Sequence, residues 1–217
     1  LLKMLDDVAA RGGRMFGQAH CREFSVILSF KTRLPFDKLP FWSEVRSESL
    51  ERQKELLAMP EVRQKLIDEA HHGDYGRAIG AETRKPDYDW VLMMDQAVPP
   101  HRTVAEIAAE RGVDPVEVMI DAALATDMNQ LFVQAVANFH PEALLEIMKH
   151  PRTVMTFSDS GAHVSQIMDS SIHTHLLSHW VRDRQDFTLE EAVRMITLEP
   201  ARAWGFADRG LVQEGFV

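Results

Sequence analysis

Leu2, Leu5, Val8 and Ala9 recur at helical spacing near the start of the chain, which predicts a helix over Leu2 to Ala10 that Gly12-Gly13 then stops. The short run RMFGQA that follows reads as a strand. Residues Cys21 to Phe30 mix apolar and polar types without a period, and the proline-marked stretch Leu34 to Pro40 reads as loop. Ser47 to Met59 and Pro60 to His72 are polar-rich helical patterns, the second ending at Gly73. From Gly73 to Pro100 the chain is rich in Gly, Pro, Asp and Tyr, and only Trp90 to Met94 has extended character. Residues 22–100 therefore read as one long excursion between regular elements, the kind of segment that serves as a lid or an insertion.

Regularity returns at Thr103, where Thr103 and Glu106 form a capping box for TVAEIAAERG, and Asp114-Pro115-Val116-Glu117 opens a second helix to about Ala125. Leu131 to Val136 suits a strand. Leu144, Leu145, Ile147 and Met148 give Pro141 to Lys149 a helical pattern, and the β-branched and aromatic run Thr153 to Phe157 suits a buried strand. A second box, Thr188 and Glu191, caps EEAVRMIT, and Glu199 to Trp204 forms a final short helix. Short apolar strands followed by helices predict an α/β protein with a parallel sheet, in which pattern alone separates neither barrel from open sheet.

Composition narrows the class. At 217 residues, with 45% hydrophobic and 26% charged positions, the chain has the make-up of a globular protein with a sizeable core. Its formal net charge of -9, without a local Lys/Arg cluster, argues against nucleic acid as a partner. No apolar run reaches the roughly 18 residues that span a bilayer, and no leader-like segment opens the chain. The single Cys21 excludes an internal disulfide framework. These features point to a cytoplasmic protein without a membrane partner. Because the chain opens on Leu1-Leu2-Lys3 and stops just after Gly215, it is read as part of a longer protein.

The chemistry concentrates where TVMTF runs into Ser158-Asp159-Ser160-Gly161, which sets a carboxylate at the carboxyl end of a buried strand, the place where α/β enzymes build active sites. The same residues would also serve as a plain turn or helix cap, and His163 as a hydrogen-bonded loop histidine. Gln18, His20 and Arg22 follow the RMFGQA strand.

The words TFSDSGAHVSQIMDSSIHTHLLSHWVRDRQDFTLEEAVRMITLEPARAWGFADRG resemble the last strand and closing helices of the amidohydrolase superfamily barrel. The similarity is to the branch of D-aminoacylases and N-acyl-D-aspartate or D-glutamate deacylases; GQAHCREF, PDYDW and TVAEIAAERGVDPVEVMIDAAL also fit it. The resemblance implies the carboxy-terminal part of a (β/α)8 barrel over residues 1–205, with the insertion at about 22–100, and over 206–217 the start of a return to a small β-domain. It implies a metal-dependent hydrolase that cleaves the linear amide of N-acyl-D-amino acids. Asp159 then touches the metal, takes a proton from the water and passes it to the departing nitrogen, with His163 beside it. Zinc is the expected cofactor, held mainly by an HxH pair, a cysteine and two histidines upstream of Leu1. Cys21 follows what looks like strand seven and is not that cysteine. Gln18, His20, Ser158 and Ser160 become candidate contacts for a small N-acyl amino acid, and Arg22 a bidentate clamp for its carboxylate. A cyclic-imide or dihydropyrimidinase-like hydrolase, and a catalytically silent α/β binding module, are the alternatives.

Several other histidines and methionines read as structural. His173-Thr174-His175 spells HxH, but the spacing of Ile172, Leu176 and Trp180 is helical, which turns the two rings apart. His175 and His179 are four apart but have no third ligand or general-base Glu nearby in sequence, and read as helix-surface or packing residues. His71-His72 suits a helix carboxyl end, and Met119, Met148, Met155, Met168 and Met195 suit core filling.

Overall fold

The computed structural model describes residues 1–77, 84–156 and 171–217, together with the backbone of 167–168. The chain divides into two compact units, one of Leu1–Phe24, Ala137–Val164 and Asp169–Val217, the other of Ser25–Val136 and Ser165–Met168.

In the first unit, helix α1 (Leu2–Ala10) buries Leu5, and the chain then turns through Gly12 at φ +77°, a left-handed conformation that glycine adopts without strain. Strand β1 (Gly17–Ala19) pairs in parallel with β5 (Thr153–Met155), in the register Gly17 to Thr153 and Ala19 to Met155. A Cβ on Gly17 would lie 3.3 Å from Leu5 Cδ1 and 3.5 Å from Thr153 Cγ2, so the absence of a side chain lets helix and strand close together. Helix α7 (Pro141–Lys149) buries Leu144 and Met148. The short helix α8 (His173–His175) continues as a π-helix over Leu176–Asp183, burying Leu176 and Trp180. Helix α9 (Leu189–Ile196) carries the complete Thr188/Glu191 capping box, and α10 (Leu198–Trp204) ends at Gly205. Ala19, Cys21, Leu144, Met148, Met155, Leu176, Trp180 and Ala192 share one core.

The second unit surrounds a sheet in the order β3-β4-β2-β6, built from β2 (Phe24–Leu28), β3 (Val91–Met94), β4 (Leu131–Ala137) and β6 (Ile167–Met168). The pairs β3-β4 and β2-β6 are antiparallel. Helices α2 (Pro40–Arg46), α3 (Leu50–Ala58), α4 (Pro60–His72), α5 (Val104–Arg111) and α6 (Pro115–Ala125) complete it. Its core packs Phe36 against Trp42, with ring centroids 4.5 Å apart, and Trp42 Nε1 donates to the Leu66 carbonyl at 2.9 Å. The Thr103/Glu106 box is complete, and Asp114 caps α6. The excursion expected at 22–100 falls largely within this unit, which continues to Val136.

Two elements differ from the sequence expectation. Residues Phe24–Leu28, read as aperiodic, form β2, in which Ser25, Val26 and Leu28 are buried, so polar and apolar positions do not alternate. Pro40–Arg46, at the edge of the expected loop, is helical without a side-chain cap of its own. The carboxylate of Glu69 in α4 does that work, accepting from the backbone N–H groups of Phe41 (3.0 Å) and Trp42 (2.9 Å).

Candidate active site

Parallel pairing puts the carboxyl ends of β1 and β5 side by side, so His20-Cys21-Arg22 leaves the sheet at the same end as Thr156. The hydroxyl of Thr156 is buried and has no hydrogen-bond partner among the described residues. Ser158, Asp159, Ser160 and His163, the core of the expected site, lie outside the described residues. Gln18, expected just past the strand, is the exposed middle residue of β1 and does not line the pocket described next.

His20 is 3% exposed, and its Nδ1 accepts from the backbone N–H of Arg22 at 3.2 Å, which leaves the ring proton on Nε2 when the imidazole is neutral. Arg22 Nε donates to the Glu23 carbonyl at 3.2 Å, and burial lowers the guanidinium pKa from its ordinary value. The Cys21 thiol donates to the Ile172 carbonyl at 3.1 Å, and Trp180 Nε1 donates to the Cys21 carbonyl. Burial pushes the Cys21 thiol up to about 11, so at neutral pH it is a protonated packing group.

Cys21, Arg22 and Trp180 line a pocket of about 220 Å³ together with Glu23, Phe139, Leu144, His175 and His179 among others. Spacing along the chain does not show that the two histidines share this pocket with Arg22. Their rings stack with centroids 4.9 Å apart, and His179 meets Trp180 edge-on at 5.2 Å. Burial, then the charges of His179, Arg22 and His20, hold the His175 pKa down to about 4. His20, Arg22 and His179 are therefore within electrostatic reach of His175, a proximity that the separation of these residues along the chain does not reveal.

No group of three or more His, Cys, Asp or Glu among the described residues could hold a metal ion. The neutral, hydrogen-bonded Cys21 thiol and the histidine pair beside Arg22 do not make a metal centre either. His71, by contrast, bonds Asp114 at 2.7 Å as part of the scaffold of the second unit. Among the described residues, no helix is long and apolar enough to cross a membrane.

The model of the amidohydrolase family matches residues 60–217, and the chain belongs to that family. The mixed α/β structure with its parallel β1-β5 pair is accordingly part of a TIM-barrel-type fold. Two solved structures are similar. One is a D-aminoacylase mutant in complex with CuCl2, and the other is a D-aminoacylase studied for the functional role of its binuclear metal centre. Each is 24% identical, with 58% of this chain and 26% of that chain covered and a TM-score of 0.32. This chain thus spans about a quarter of their length. No curated protein matches it.

Proposed function

We propose that the protein is a metal-dependent hydrolase that cleaves the linear amide of N-acyl-D-amino acids to a carboxylate and a free amino acid. The observation that carries the reading is the parallel pairing of β1 and β5, which brings His20 and Arg22 to the strand end from which the chain runs, three residues past Thr156, into Asp159. Active sites of barrel enzymes are built at that end. Family membership supports hydrolysis of a carbon–nitrogen bond.

In this reading Asp159 takes a proton from water as the water oxygen bonds to the acyl carbon. It then gives that proton to nitrogen as the carbon–nitrogen bond breaks. His163 stands beside it, and Ser158, Ser160, Gln18 and His20 contact the substrate. Arg22 holds the α-carboxylate through its planar fork of N–H donors. A bound zinc would supply Lewis acidity, with Asp159 as its ligand among these residues. Residues 1–205 form the barrel portion, with an insertion at about 22–100, and 206–217 begin the return to a small β-domain.

The test is amine release by the whole protein from paired N-acetyl-D- and N-acetyl-L-amino acids and from hydantoins. We expect turnover of the D-series, lost on chelation and restored by zinc. Preferential opening of the cyclic substrates would overturn the assignment.

A further inference from the structure

The pocket beside β1 collects nitrogen-bearing side chains from two distant parts of the chain. Arg22 arrives from the carboxyl end of β1, and His175 and His179 arrive from α8 and its π-helical continuation. Among the described lining residues, Glu23 is the acidic one. Phe139, Leu144 and Trp180 supply apolar walls, which keep the local dielectric low and strengthen any charge–charge interaction inside.

The backbone is specialised at the same place. A π-helix has more residues per turn than an α-helix, so positions four apart come closer to eclipsing, and the imidazoles of His175 and His179 lie nearly parallel at 21°. π-helical turns are rare and frequently occur at functional sites. Asn138, also in the lining, sits at φ +59°, a left-handed conformation that non-glycine residues seldom adopt. Two uncommon backbone features thus shape one small pocket.

We propose that His175 and His179 join Arg22 in a carboxylate-recognising subsite that makes the protein selective for acyl amino acids with a free carboxylate. The proposal rests on the N-acyl amino acid reading above. Imidazole N–H groups and the guanidinium fork are donors suited to carboxylate oxygens, whereas the nearby guanidinium repels a metal ion or an ammonium group. His175 is kept neutral by burial and by His179, Arg22 and His20, with Glu23 the acid in the lining. An anion entering the pocket would oppose that repulsion and raise the affinity of His175 for a proton.

The test uses metal-free full-length protein, in which substrate is not consumed, with N-acetyl-D-leucine and its uncharged carboxamide as probes. We expect the carboxylate to bind at least about tenfold more tightly and to raise the His175 pKa by about one unit in a histidine NMR titration. The His175→Gln/His179→Gln double variant should lose that preference, and in the metal-loaded enzyme it should raise KM while leaving kcat within about threefold. If the double variant does not fold, His175→Gln alone should lose most of the preference. Equal binding of the two probes, or an unchanged preference in folded variants, overturns the subsite. A carboxylate preference in a protein without deacylase turnover upholds the subsite and overturns the functional reading. Turnover with carboxylate-indifferent binding does the reverse.

Discussion

The indole Nε1 of Trp180 donates to the backbone carbonyl of Cys21, tying the π-helix to the chain leaving β1. Both residues are buried, at 2% and 0% exposure, so this bond fixes two walls of the pocket at once. Trp180→Phe keeps an aromatic ring but leaves a buried carbonyl without its donor, a loss of about 1–3 kcal/mol. A urea denaturation series should show a lower midpoint with an unchanged slope. A midpoint equal to that of the wild type would show that the tie contributes nothing.

His175 provides a pH signature. Its folded pKa, about 4, lies below the ordinary value of 6.5, so the unfolded chain binds the extra proton first. Its neutral form is compatible with full stability above about pH 6.5, and that stability is lost as pH falls from 6.5 through about 4. Because the ring is only half-buried, the loss should be about 1–2 kcal/mol after solvent screening. Unfolding free energies at a series of pH values should fall more steeply in this window for the wild type than for His175→Gln. Parallel curves would sink the idea.

Cys21 should behave as an inert packing residue. With a thiol pKa of about 11, roughly one molecule in a thousand carries the thiolate at pH 8. Iodoacetamide should therefore label the native protein at least about a hundredfold more slowly than the urea-unfolded chain. Rapid native labelling would mean that the thiol is open and activated.

The sequence reveals these structures unevenly, for physical reasons. Helices α1, α4, α5, α6, α7 and α9 were legible because their apolar period, their proline or capping residues, or both, are local signals, and both capping boxes have the expected hydrogen bonds. Helix α2 was not, since its cap is Glu69, 27 residues beyond Trp42. β2 was obscured because burial of three of its five residues removes the alternation. Around the candidate site, the position of His20 and Arg22 just past a strand was readable. His175 and His179 were not, because their helical spacing matches that of surface histidines and only the fold brings Arg22 to them.

The central claim is that Asp159 moves the proton during amide hydrolysis. Its most direct test is kcat for amine release from an N-acetyl-D-amino acid by the whole, zinc-loaded protein and its Asp159→Asn variant, with circular dichroism confirming that both are folded. The account predicts a fall in kcat of about a thousandfold or more with KM changed only a few-fold. A folded Asp159→Asn variant that turns over near the wild-type rate would contradict it.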